Sequence, residues 1–156
     1  MGKEIERKFL VKESNWQKSS KGLLIQQGYI VIRKEKVVRI RIMNDKGYLT
    51  IKGTTTGATR NEYEYEIPLE DASQMLNNLC EKPILEKHRY KINHDGMTWE
   101  IDIFHRENEG LIVAEIELEY EDQEFEKPDW VNMEVTDDLK YFNANLVKNP
   151  FNKWNV

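Results

Sequence analysis

Cysteine is almost missing from this 156-residue chain: Cys80 is alone. One thiol cannot make an intrachain disulfide, and it cannot build a cysteine zinc site. Proline (4) and glycine (8) are also sparse and nowhere cluster into a linker. With no internal repeat or low-complexity tract, residues 1–156 read as one domain. No apolar run approaches the ~18 residues a membrane helix needs. The opening Met-Gly-Lys-Glu-Ile-Glu-Arg-Lys carries charge where a secretory signal would be apolar, so the expectation is a soluble, cytoplasmic protein without a membrane partner. A basic excess is missing as well. With 23 basic and 28 acidic residues the net charge is −5, which argues against nucleic acid as a partner. It does not exclude a small anion, because a local cation cluster can hide in an acidic total. Walker loop, GxSxG, HExxH and EF-hand patterns are all absent from the sequence.

What is abundant is charge, at 33% of residues, arranged with a period of two. Residues 3–11 alternate Glu4, Glu6 and Lys8 with Ile5, Arg7 and Phe9. Residues 24–33 are β-rich, with Gly28 marking a bulge. Residues 36–43 set Arg39 and Arg41 against Val38, Ile40 and Ile42; Asn44–Gly47 signals a hairpin turn; residues 48–53 set Thr50 and Lys52 against Leu49 and Ile51. Residues 54–59 read as a loop. Residues 60–67 oppose Arg60, Glu62, Glu64 and Glu66 to Asn61, Tyr63, Tyr65 and Ile67, and Pro68 ends the strand. A short helix follows over 71–80, with Ala72, Met75, Leu76 and Leu79 on one stripe.

Three more strands come next. Over 84–92, Lys87, Arg89 and Lys91 oppose His88, Tyr90 and Ile92. After the turn His94-Asp95-Gly96, Glu100 and Asp102 oppose Trp99, Ile101 and Ile103 over 97–104. Over 111–119, Glu115, Glu117 and Glu119 oppose Ala114, Ile116 and Leu118. A short strand over 131–135 and a helix over 137–147 complete an α+β class: about eight main antiparallel strands with peripheral helices.

Alternation alone fits the wet side of a half-exposed sheet equally well. Two features favour an enclosed site. The signs run in blocks, acidic, basic, acidic, basic, acidic, so like charges sit two apart on one strand face (Arg39/Arg41, Glu62/Glu64, Glu115/Glu117). They repel, and folding alone rewards nothing in that arrangement; an anion on the cations and a metal on the carboxylates would offset it. An eight-stranded sheet also tends to close into a barrel with room for one small ligand. The apolar faces would then point outward and need cover, which Tyr141, Phe142, Leu146, Phe151 and Trp154 could partly supply. Hard oxygen ligands select Mg2+ or Mn2+, and arginine and lysine neutralise phosphate oxygens.

Glu4-Ile5-Glu6-Arg7-Lys8 matches the ExExK signature of the CYTH superfamily, the triphosphate tunnel metalloenzymes. Arg39-Ile40-Arg41, Thr50-Ile51-Lys52-Gly53, Arg60-Asn61-Glu62-Tyr63-Glu64, Glu86-Lys87-His88-Arg89, Glu100-Ile101-Asp102 and Glu115-Ile116-Glu117 follow in family order, so the chain resembles that family over roughly residues 3–119. The resemblance implies an eight-stranded antiparallel β-barrel, a tunnel with a charged interior, that binds a triphosphate with divalent metal. It assigns the phosphate chain to Lys8, Arg39, Arg41, Lys52, Arg60, Lys87 and Arg89. It assigns the metal, Mg2+ or Mn2+, to Glu4, Glu6, Glu115 and Glu117. Glu62, Glu64 and Asp102 support these or orient water, and Lys87 assists the attacking water. Short bacterial members are similar to inorganic triphosphatases, so the expected partner is a small-molecule triphosphate, with a homodimer possible and the oligomeric state left open. Thiamine triphosphate hydrolysis, cyclisation of ATP by a class IV type adenylate cyclase, and non-enzymatic polyphosphate binding stand as alternatives. Lys91, Glu66, Glu100 and Glu119 are expected in solvent at the tunnel mouths. His88 and His105 are expected on the outside, Trp99 and Tyr90 in packing, and Cys80 as a small buried residue; Tyr29 is not assigned.

Overall fold

The computed structural model describes residues 2–12, 16 and 21–154. Its nine strands are β1 (Lys3–Val11), β2 (Leu23–Ile32), β3 (Lys36–Met43), β4 (Lys46–Thr56), β5 (Thr59–Ile67), β6 (Leu85–His94), β7 (Met97–Phe104), β8 (Ile112–Glu117) and β9 (Val131–Glu134). Two short α-helices are added, α1 (Leu69–Asn78) and α2 (Asn143–Lys148). All neighbouring strands pair antiparallel in the order β5-β4-β3-β2-β6-β7-β8-β1-β9, and β5 returns to pair with β1. Eight strands therefore close into a barrel, as expected from the strand count and from the family resemblance.

Closure depends on β1, which is used three times. One edge pairs with β8 from Glu6↔Glu117 to Leu10↔Val113. The other edge takes β5 in its first half (Lys3↔Asn61 to Ile5↔Thr59) and β9 in its second (Phe9↔Glu134, Val11↔Val131). Hairpin chemistry sets the neighbouring registers. Asn44 and Asp45 (φ 54 and 60°) join β3 to β4, and Asp95 and Gly96 (φ 52 and 77°) join β6 to β7. Two consecutive left-handed residues match the twist of the strands they connect.

Some local expectations shift. Residues 54–59 are mostly strand, with only Gly57-Ala58 between β4 and β5. The register shift in β2 lies between Tyr29 and Val31, not at Gly28. Gly28 instead lets another segment approach: a Cβ there would stand 2.8 Å from Cys80 Cβ and 2.9 Å from Ile84 Cδ1. The first helix begins at Leu69, two residues early, because Pro68 has the fixed φ and missing donor that suit a helix start. The last helix covers only 143–148, after a 3-10 turn at Leu139–Tyr141.

Three apolar clusters surround the charged interior. Outside β1, β7 and β8, the buried Phe9, Trp99, Ile101, Ala114 and Ile116 are covered by Trp16, Trp130 and Phe125. Trp99 packs edge-on to Trp130 and Phe125 at 5.5 and 5.6 Å between centroids. Outside β2–β4, Ile40 packs with Ala72, Leu76 and Cys80 from α1 and the residues after it. The third cluster corrects the expected role of the C-terminal segment. Tyr141, Ala144, Leu146 and Val147 pack on Tyr29, Val37, Leu85, Phe104 and Val113. By parity these strand residues share the inward face with Arg39, Lys87, Asp102 and Glu115. The segment fills one end of the barrel instead of sheathing its outside. No helix among the described residues is long and apolar enough to cross a membrane.

Candidate functional site

Above that apolar floor lies a cavity of about 790 Å³. Ten lysine or arginine side chains and seven glutamates line it, so the lining is net positive inside a chain of net charge −5. Every residue expected to bind phosphate (Lys8, Arg39, Arg41, Lys52, Arg60, Lys87 and Arg89) lines this cavity, as do Glu4, Glu6, Glu62, Glu64, Glu115 and Glu117. Asp102 is fully buried behind the lining, where it holds Lys87 and Arg89.

The wall of β3, β4 and β5 carries the arginine pair. Register sets Arg39 beside Thr50 and Thr50 beside Glu64. Glu64 Oε2 accepts from Thr50 Oγ1 at 2.8 Å and from an Nη2 of both Arg39 and Arg41 at 3.2 Å. Burial opposes ionisation of Glu64, but these donors and the two guanidinium charges outweigh it and lower its pKa. One carboxylate shared between two arginines leaves donors over. Arg39 Nε and Arg41 Nε are buried without a partner. Burial, reinforced by Arg39 and Arg89, lowers the Arg41 pKa to about 10. A buried donor without an acceptor costs about 1–3 kcal/mol, a deficit that an anion in the cavity would remove.

On the opposite wall, Lys87 Nζ donates to Asp102 Oδ2 at 2.9 Å, while Arg89 Nε and Nη2 grip Asp102 Oδ1 and Oδ2 at 2.8 and 2.9 Å. Burial disfavours the Asp102 carboxylate, but the two cations hold it well below the usual carboxylate range. Burial dominates at Lys87, where Arg89 adds to it and Asp102 opposes it; the pKa falls to about 8. Arg89 also reaches Glu115 and Glu100 at 3.3 Å, and Lys8 lies 3.7 Å from Glu115. Between the walls, Lys52 bridges Glu4 (3.0 Å) and Glu62 (3.5 Å), and Arg60 Nε donates to the Gly53 carbonyl.

Carboxylates gather where β1 meets β8, with Glu6 opposite Glu117 and Lys8 opposite Glu115. Burial, then Glu115 and Glu4, raise the pKa of Glu6 well above normal. Glu117 is raised by burial and by Glu4, Glu62 and Glu100. Crowded carboxylates of this kind suit a hard divalent cation, which would relieve their repulsion. Among the described residues no three side chains of histidine, cysteine, aspartate or glutamate form a ready ion cage. Glu4 and Glu115 are instead engaged by Lys52, Lys8 and Arg89. The donor chemistry thus fits Mg2+ or Mn2+ bound in part by substrate oxygens and water, as is usual for magnesium.

Glu100 lines the cavity instead of standing in solvent, because Arg89 draws it in. Lys91, Glu66 and Glu119 are exposed, as expected. His88 and His105 lie outside the lining and bond each other, Nδ1 to Nε2, at 2.7 Å. Trp99 is fully buried in packing, and burial raises the pKa of the buried Cys80 thiol to about 11. Sequence reasoning missed Tyr29, Arg33, Lys34, Phe142, Asn143 and Lys148 in the lining. Tyr29 could have been found from its parity with Gln27, had the register shift after it been foreseen; the C-terminal residues carried no signal.

A CYTH domain matches residues 2–149. An inorganic triphosphatase of Acetivibrio thermocellus is 58% identical over 151 residues, covering 97% of each chain. One from Nitrosomonas europaea is 33% identical, covering 92% of this chain and 95% of its own. A solved inorganic triphosphatase structure superposes with a TM-score of 0.66 at 31% identity, over 92% and 93% of the two chains. A putative adenylate cyclase from Bacillus halodurans shares the fold alone, at 17% identity and a TM-score of 0.62 over 78% and 84%. A closed antiparallel barrel with a polarised charged interior, a domain match over nearly the whole length and these relatives agree: the chain belongs to the CYTH family.

Proposed function

We propose that this protein hydrolyses inorganic tripolyphosphate, or a related triphosphate, with the help of Mg2+ or Mn2+. The observation that carries the reading is the convergence of seven cations from five strands on one cavity whose two buried arginines keep unpartnered donors. The names of the two triphosphatase relatives support it. Arg39 and Arg41 bind phosphoryl oxygens through their free donors, and Lys8, Lys52, Arg60 and Arg89 neutralise the rest of the chain. Glu4, Glu6, Glu115 and Glu117 hold the metal, which when bound supplies Lewis-acid polarisation of the phosphoryl group. Lys87 in its neutral form accepts a proton from the attacking water. Asp102 holds Lys87 and Arg89 in place, and Glu62 and Glu64 orient Lys52 and the arginine pair.

A phosphate-release screen over tripolyphosphate, pyrophosphate, ATP and thiamine triphosphate, each with magnesium and manganese, tests the proposal. Tripolyphosphate turnover that needs metal is the expected result. Cyclic AMP formation from ATP, or tight metal-independent binding without turnover, would replace it with a cyclase or a binding module.

A further inference from the structure

Among the polar residues that the C-terminal plug brings to the cavity, Asn143 bonds directly to Lys87. Asn143 opens α2, and its Oδ1 accepts from Lys87 Nζ at 2.7 Å and from Gln27 Nε2 at 3.2 Å. Gln27, fully buried on β2, also donates to Tyr29 Oη at 2.8 Å. A chain of contacts therefore runs from Tyr29 through Gln27 and Asn143 to Lys87 and Asp102, linking β2, α2, β6 and β7.

The geometry at Lys87 gives this chain a purpose. A lysine nitrogen has four tetrahedral positions, one used by its own carbon. Asp102 Oδ2 and Asn143 Oδ1 accept at two of the others. The fourth position, a proton in the ammonium and a lone pair in the amine, is then turned away from both acceptors, and Lys87 lines the cavity. With Asp102 alone, the nitrogen could rotate and spend its lone pair elsewhere.

We propose that Asn143 is a positioning residue for Lys87, so that docking of α2 into the barrel end aligns the amine toward the substrate. The proposal rests on the hydrolytic reading for its catalytic meaning, but not for its measurement. Asn143 is an acceptor for the charged form of Lys87, so it favours that form. The other groups facing the amine are Asp102, Arg89 and Glu115 from the strands and the Phe104 ring, 5.5 Å away. None of these groups is itself changed by a substitution at Asn143.

Two substitutions separate positioning from mere support of the plug. Asn143→Ala removes an acceptor and moves the Lys87 titration to lower pH. Asn143→Asp keeps the shape, adds charge and moves it to higher pH. The readout is NMR of lysine side-chain-labelled protein, with the Lys87 signal assigned by its loss in Lys87→Arg. The alkaline-rising limb of the rate on tripolyphosphate with magnesium should shift in the same two directions. Asn143→Ala should also cost about tenfold or more in kcat with little change in KM, as misplacing a reacting group does. Coincident Lys87 titrations in wild type and both variants would overturn the inference, whatever the rates. Opposite shifts in a protein that releases no phosphate would uphold it and overturn the hydrolytic reading instead. Should Asn143→Ala fail to fold, Asn143→Asp alone decides by the sign of its shift.

Discussion

At the scale of single residues, the cavity combines buried charge with incomplete pairing. Arg39 shares its carboxylate with Arg41 and keeps an unpartnered Nε. Charge-assisted hydrogen bonds of this kind are worth about 1.5–3 kcal/mol, so Arg39→Ala should lower kcat/KM for tripolyphosphate by roughly ten- to a hundredfold. Steady-state rates over a substrate series measure this, and unchanged values would remove the arginine pair from the phosphate site. Lys87 gives a pH prediction whose sign is set by its role. A base must be neutral, and burial lowers the Lys87 pKa to about 8. The rate should therefore climb as pH rises and level off above about 8, and Lys87→Ala should lose that limb together with most of the rate. Asp102 is the reverse case, a carboxylate whose two cationic partners are themselves buried. Asp102→Ala leaves Lys87 only the neutral Asn143 acceptor and Arg89 only its longer contacts to Glu115 and Glu100, and should cost about 3 kcal/mol in urea denaturation.

At the scale of elements, most strands were legible because their faces are chemically distinct. The ladder Arg39↔Thr50↔Glu64 follows from parity on three separate strands, joined by turns the sequence also announces. The Asn44-Asp45 turn can be improved. Both residues hold positive φ, and glycine meets no Cβ penalty there. Asp45→Gly should raise stability by roughly 0.5–1 kcal/mol, read as a higher melting temperature with activity unchanged. Less legible was the β4–β5 connection, where threonine, glycine and alanine suggest a loop over 54–59. The strands continue to Thr56 and from Thr59 because Ala58 at the turn meets other elements: the Ala58 carbonyl accepts from Glu6 N, and Glu121 accepts from Ala58 N and Thr59 Oγ1. Those partners lie far away in the chain, so no local pattern could show them.

At the scale of the whole molecule, the barrel sets a net-positive cavity apart from an acidic exterior. Because the four glutamates of β1 and β8 include two with raised pKa, they hold a divalent cation less well when protonated. Chelation with EDTA should abolish phosphate release, and added magnesium or manganese should restore it and raise the melting temperature through preferential binding to the folded state. Activity that survives exhaustive chelation would remove the metal from the mechanism.

Alternation along each strand determined which side chains share a face, and the block pattern of signs determined that acids and bases would oppose each other. Those are local properties, written in steps of two residues. Which face becomes the concave one, and what seals the end, only the tertiary structure decided. Closure joins β5 to β1 across more than fifty residues of chain, and a short C-terminal helix brings Asn143 to Lys87. Neither contact has a periodic signal, because each is set by barrel shear and by apolar packing between segments distant in sequence.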